Sequence, residues 1–194
     1  MYEYIIGSIG QLTPTHVVVE TGGIGYLVNI SLQTYSKLET LSEAKLYLHQ
    51  IVREDAHLLF GFFDDDERTM FRLLLNVNGI GANTARMMLS SMSSADIGNA
   101  ILHDDVNRLK AIKGIGLKTA QRIIVDLKDK ITRIDVGSEV FAGKSGANRE
   151  EALAALVALG FAKAPATKVL DAVIKKEGDS LTVEQLIKTS LKQL

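Results

Sequence analysis

Two short stretches of this chain could grip an anion without a charged side chain: Gly79-Ile80-Gly81 and Gly114-Ile115-Gly116. A corner between two helices needs a positive φ or a close approach of backbones, and glycine supplies both. An isoleucine between the glycines can plug the apolar gap between the helices. The second helix then begins with unpaired N–H groups facing outward. Those groups and the helix dipole favour a phosphate, and a missing side chain lets it come near. Such contacts hold a nucleic-acid backbone and ignore base sequence. Around the glycines the candidates for binding DNA are Gly79, Gly81 and Asn83 in the first copy, and Gly114, Gly116, Lys118, Thr119 and Arg122 in the second.

The copies align over Leu74–Ala85 and Leu109–Ala120, with Gly114 standing 35 positions after Gly79. A leucine, an aliphatic residue, Gly-Ile-Gly and Thr-Ala coincide. One Gly-x-Gly is common in turns. Two in register, with helical signals on either side, match a tandem helix-hairpin-helix.

The net charge of −1 hides a local asymmetry. Residues 1–62 hold three basic and six acidic side chains. Residues 106–133 hold eight basic ones (Arg108, Lys110, Lys113, Lys118, Arg122, Lys128, Lys130, Arg133) against Asp126 and Asp129. A basic patch on an acidic chain is the footprint of a nucleic-acid binder, although a basic run fits a solvated helix face as well. There is no cysteine, which excludes disulfides and thiolate metal sites, and the four histidines show no metal-ligand pairing. No metal and no cofactor are expected. Gly116-Leu117-Lys118-Thr119 imitates the end of a phosphate-binding loop but lacks its upstream glycine. Thr84 and Thr119 stand where a dinucleotide fingerprint needs a small residue. Any motor is therefore expected on another chain. The absence of an apolar run of 18 residues and of a basic-then-apolar leader makes the cytoplasm the expected address.

The elements that must position the glycines follow from periodicity. Residues 1–62 read as five strands: Tyr2–Ile9, His16–Glu20, Ile24–Ile30, Leu46–Val52 and His57–Phe62. These are β-branched and aromatic runs between turn residues. One short helix over Ser31–Leu38 after the third strand completes the order of an OB-type barrel. Residues 63–135 read as helical, opened by Asp64-Asp65-Asp66-Glu67, whose charges suit a first turn. Residues 136–148 hold three glycines and two serines and read as a flexible linker spanning roughly 20 Å as a coil. Residues 149–194 read as a three-helix, UBA-like module. Asn148 is its expected N-cap, Gly160 ends its first helix, Pro165 sits in the first turn of the second, and Thr182 opens the third with a capping box. The fold class is a multidomain α+β protein.

This arrangement resembles the RuvA family of bacterial Holliday junction proteins over nearly the whole chain. The local likeness lies in Val52-Arg53-Glu54-Asp55-Ala56, Leu58-Leu59-Phe60-Gly61-Phe62, Glu67-Arg68-Thr69-Met70-Phe71, both hairpins, and Ala154–Phe161. The resemblance implies a non-catalytic subunit that forms a homotetramer and holds a four-way junction open and square-planar, with one or two tetramers on the DNA. It implies an acidic pin at Glu54 and Asp55, whose carboxylates would repel phosphates at the crossover. Arg53 would contact backbone nearby or pair with these acids. It implies that the C-terminal module docks the hexameric ATPase RuvB, with Leu156, Leu159 and Phe161 as candidate contacts or as the module's own core. The resolvase RuvC is a further implied partner, and recombination and repair the setting. The chain departs from the family at Ala82-Asn83, where Pro-Lys is frequent, and at Leu117, often basic. Phosphate holding should rest more on backbone N–H groups. A repair glycosylase or nuclease using the hairpins as a grip is the competing reading, with Asp126 or Asp129 as its acid. A plain scaffold without DNA affinity is a third.

Overall fold

A computed structural model describes the backbone of residues 1–140, 144–178 and 181–193. Two compact units divide it, Met1–Thr132 and Arg133–Leu194.

The first unit begins with a closed barrel in the order β1-β2-β3-β5-β4. The strands are β1 (Tyr4–Leu12), β2 (His16–Thr21), β3 (Ile24–Ile30), β4 (Glu43–Val52) and β5 (His57–Phe62). All pairs are antiparallel except β3 with β5, where Val28, Asn29 and Ile30 face Leu59, Phe60 and Gly61. β1 closes the barrel by pairing with β2 on one side and β4 on the other, so Ser8 faces both Glu20 and Glu43. Gly7 stands at that double seam, and a Cβ there would overlap the Glu20 carbonyl. The alternating burial of Val17 and Val19, Val28 and Ile30, and Leu46 and Leu48 fills the interior; this is the period-two signature of strands with one face inward. The short helix α1 (Leu32–Leu38) follows β3 as expected, and Ser31 caps it by accepting from the Thr34 N–H.

The same unit continues with α2 (Asp65–Leu75), α3 (Ala82–Ser91), α4 (Ser94–Leu102), α5 (Val106–Lys110) and α6 (Leu117–Val140) as far as Thr132. Asp64, Ser93 and Asp105 cap α2, α4 and α5 through their side chains. A second core joins these helices and extends into the barrel wall: Phe71 of α2 packs on Phe60 and Phe62 of β5, with ring centroids 5.2 and 4.9 Å away. His49 of β4 meets the Phe71 ring edge-on at 5.5 Å.

That position sets the acid response of the seam. Burial holds the His49 imidazole below its ordinary pKa, and the charges of Arg72 and Arg68 push the same way. The folded state therefore prefers neutral His49. Its contribution is present above the unfolded value, about 6.5, and is lost as pH falls from there through the lowered folded value. His49→Phe keeps an aromatic edge on Phe71 and removes the proton. Its melting temperature should fall less than that of the unmodified chain between pH 7.5 and 5.5. Equal falls in the two proteins would show that His49 does not carry this response.

The second unit contains α7 (Lys144–Ala158), α8 (Lys163–Glu177) and α9 (Val183–Leu191). Leu153, Leu156, Ala166, Leu170, Val173 and Leu186 form its core. Gly160, at φ 98°, ends α7: its N–H and that of Phe161 bond back to the carbonyls of Val157 and Leu156, the Schellman pattern. Thr182 and Gln185 form the expected capping box.

Two expectations are corrected here. Residues 136–140 and 144–148 are helical, belonging to α6 and α7, where an irregular linker was expected; residues 141–143 of that span lie outside the described residues. Helix propagation from flanking good formers outweighs a cost of about 1 kcal/mol per glycine. For the same reason Asn148 lies inside α7 and is no N-cap; its amide donates to the Leu181 carbonyl at 3.0 Å. No helix among the described residues is long and apolar enough to cross a membrane.

Candidate nucleic-acid interface

The two Gly-Ile-Gly stretches make the same corner twice. After α2, Ile80 N–H donates to the Val77 carbonyl at 3.1 Å; after α5, Ile115 N–H donates to Ile112 at 3.0 Å. Gly79 has φ 93° and Gly114 φ 89°, the left-handed conformation that a side chain disfavours. Val77 with Ile80, and Ile112 with Ile115, are buried in one shared core. The isoleucines are the plugs that the spacing predicts.

The outer glycines have a different task. Gly81 is the N-cap of α3, in extended backbone with no side chain to bond the first N–H groups, and its carbonyl accepts from Ala85 at 2.9 Å. Gly116 stands in the same place before α6, accepting from Ala120 at 2.9 Å. A Cβ on either would meet nothing within 4 Å. The helix starts therefore face open space, with N–H groups that a helix cannot satisfy internally. A Cβ on Gly114, by contrast, would touch Met87 of α3 at 3.3 Å, which packs the second corner beside the first hairpin.

Around the corners Asn83, Lys118 and Arg122 are exposed and Thr119 is half-buried. The basic patch divides. Arg108 pairs with Asp96 at 2.7 Å and Lys128 with Asp104 at 2.5 Å, so these two cations are engaged within the helical region. Lys110, Lys113, Lys118 and Arg122 form no ion pair among the described residues. The side-chain bond from Ser93, reinforced by Arg108, holds the Asp96 carboxyl below its ordinary range. The helix α4 that carries Asp96 was not singled out by the sequence pattern; Ser93 with Asp96 is its start signal.

Glu54 and Asp55 lie exposed at the tip of the β4–β5 connection, which closes through Arg53 N–H to the Ala56 carbonyl at 2.8 Å. Neither acid, nor Arg53, forms an ion pair among the described residues. Asp126 and Asp129 are exposed on α6, and no cluster of His, Cys, Asp or Glu fit to hold a metal is gathered among the described residues. In the C-terminal module the three apolar candidates separate: Leu156 is fully buried, Phe161 packs partly against the core, and Leu159 is 61% exposed.

Comparison with known proteins gives three matches along the chain. A family described as the RuvA N terminal domain matches residues 1–61. A SAM-like helix-hairpin-helix tandem matches residues 71–129, and the RuvA C-terminal domain matches residues 147–194. The chain is 50% identical over 202 residues to a protein of Bacteroides fragilis named Holliday junction branch migration complex subunit RuvA, with 100% of both chains covered. Proteins of the same name from Bacteroides thetaiotaomicron and Christiangramia forsetii are 48% and 45% identical, again over the whole of both chains.

Proposed function

The chain belongs to the RuvA family of Holliday junction branch migration complex subunits, and on that premise we propose that its paired hairpins hold the arms of a four-way DNA junction by their phosphates. The observation that carries this reading is the duplicated corner: two uncapped helix starts with open glycines, fixed in one core. Backbone N–H groups at Gly81–Asn83 and Gly116–Lys118 donate to phosphate oxygens, Asn83 and Thr119 add polar contacts, and Lys118 and Arg122 supply charge. Glu54 and Asp55 act at the crossover by repelling phosphates, which favours unpaired strands there. A gel shift with a four-way junction and a linear duplex of equal length tests the reading. Clear preference for the junction is expected; equal affinity would refute it.

The chain itself is an accessory subunit, and the work of moving DNA falls to an ATPase partner of the RuvB type. We place that contact on the C-terminal module at Leu159, with Phe161 at its edge, because a docking side chain must be exposed and Leu156 is not. RuvC-type resolvase binding and a homotetramer, one or two of them on the junction, complete the assembly, with the cytoplasm as its place. Leu159→Ala should leave the melting temperature of the module unchanged and weaken capture of the ATPase. Leu156→Ala should cost about 2–5 kcal/mol, the usual loss for a buried leucine. Calorimetry beside a pull-down separates the two; an Ala at 159 that leaves capture intact would move the contact elsewhere.

A further inference from the structure

Two adjacent charged residues of α2, Glu67 and Arg68, are almost wholly buried, at 2% and 4% exposure. Neither belongs to the Gly-Ile-Gly corners or to the acidic β4–β5 turn. They grip different parts of the barrel. The Glu67 carboxylate accepts from Ser31 Oγ and, at 2.7 Å, from Thr34 Oγ1 of α1. Thr34 Oγ1 in turn accepts from the Phe63 N–H just after β5. Arg68 donates to the Glu3 carbonyl at 3.0 Å and to the Leu48 carbonyl of β4 at 3.5 Å, and pairs with the carboxylates of Glu3 and Asp65 at 2.6 Å. Arg72, one turn on, reaches the same Leu48 carbonyl at 3.4 Å.

We propose that Glu67 and Arg68 are positioning residues that hold the paired hairpins at a set angle to the acidic β4–β5 turn. The proposal rests on the junction-binding reading above and gives it a geometric requirement. The packing of Phe71 on Phe60 and Phe62 is apolar and imposes little direction, so by itself it leaves α2 free to roll and tilt on the barrel. Hydrogen bonds to a carboxylate and a guanidinium fork are directional. Because the two side chains leave the helix on neighbouring sides and reach α1 on one hand and β4 and Glu3, just before β1, on the other, a roll or tilt breaks one set or the other. Burying a charged side chain is a poor means of stabilisation, since desolvation offsets much of what its partners return; fixing a geometry is its better-attested use.

The lever is long. From Glu67 to the end of α2 the rise is about 12 Å, so a tilt of about 5° moves the Gly79 corner by about 1 Å. That exceeds the tolerance of an N–H to phosphate bond. At the other end, β4 carries Leu48 and runs directly into Arg53–Ala56. The route from acidic turn to hairpins thus passes through Leu48, Arg68 and α2. Arg86 to the Thr15 carbonyl and the Leu32 N–H to Ser90 Oγ tie α3 to the barrel as well, but each is a single bond.

The chain has no cysteine, so a pair of spin labels can be placed cleanly at Val52 and Gln121, with labelled chains diluted among unlabelled ones. Pulsed dipolar spectroscopy then reads the distance between turn and hairpin without DNA. Arg68→Lys keeps the charge and loses the fork; Glu67→Gln keeps the shape and loses the paired acceptor. Each should broaden the distance distribution at least twofold. In gel shifts each should lower the junction-to-duplex affinity ratio at least fivefold, with duplex affinity held within twofold. A folded variant with an unbroadened distribution and an unchanged ratio would overturn the proposal. If Glu67→Gln fails to fold, Arg68→Lys decides by the same two readouts. An unmodified chain without junction preference would refute the function, and the distance measurement would still judge the clamp.

Discussion

Gly116→Thr should abolish most DNA binding while the protein stays folded. Gly116 is the N-cap of α6 and its Cβ position is open, and threonine caps a helix about as well as glycine. The backbone there needs no positive φ; that burden falls on Gly114. What changes is the space in front of the first N–H groups, into which a branched side chain now projects. A phosphate held by charge-assisted bonds worth about 1.5–3 kcal/mol each would be displaced, an affinity loss of roughly 10- to 100-fold. The loss should be equal for junction and duplex, because the contact ignores base sequence and junction shape alike. The twin substitution Gly81→Thr should act the same way at the first hairpin, where Asn83 replaces a cation and the backbone carries more of the grip. Fluorescence anisotropy beside a melting curve checks both. Unchanged affinity in Gly116→Thr would mean that this corner is not a phosphate site.

The second large effect has the opposite sign. Replacing Glu54 and Asp55 together by Asn should tighten junction binding by about three- to tenfold. Both carboxylates are exposed at a turn tip and neither is tied to a cation among the described residues, so neutralising them breaks no ion pair of the described fold. A unit charge 4 Å from a phosphate costs about 1 kcal/mol in water and more near a protein surface. Duplex binding, which keeps the turn away from any crossover, should change little. The gain should shrink as salt rises, because exposed charges are screened beyond about 10 Å at 0.1 M. Titrating the double variant against junction and duplex at two salt concentrations reads all three expectations. A large loss of junction affinity would show that the acids attract a partner or a cation instead of repelling phosphate.

Much of this was legible in the residues alone, because it depends on local rules. The corners could be read from Gly-Ile-Gly repeated in register, since a left-handed φ at Gly79 and Gly114 and a bare helix start at Gly81 and Gly116 are properties of a few adjacent positions. The barrel strands could be read from runs such as Val17-Val18-Val19 and Ile24–Ile30, and the α9 cap from Thr182 and Gln185. Tertiary structure decided what lies across space from each of them. Asp64, Asp65, Asp66 and Glu67 look alike as acids opening a helix, and only the arrival of Ser31 and Thr34 from the barrel makes Glu67 a buried acceptor. Leu156 and Leu159 stand three positions apart, and the packing of the module's core buries the first and leaves the second exposed. Arg108 and Lys128 read as part of one basic patch until Asp96 and Asp104 are placed beside them. The glycines and serines of 136–148 suggested coil, yet 136–140 continue α6 and 144–148 open α7. Sequence spacing settles backbone conformation and the side of an element; the neighbour that satisfies a buried charge comes from a distant part of the chain, and no local period records it. For the paired Gly-Ile-Gly corners the residues determined the backbone, and the contacts of α2 with the barrel determined where the corners stand.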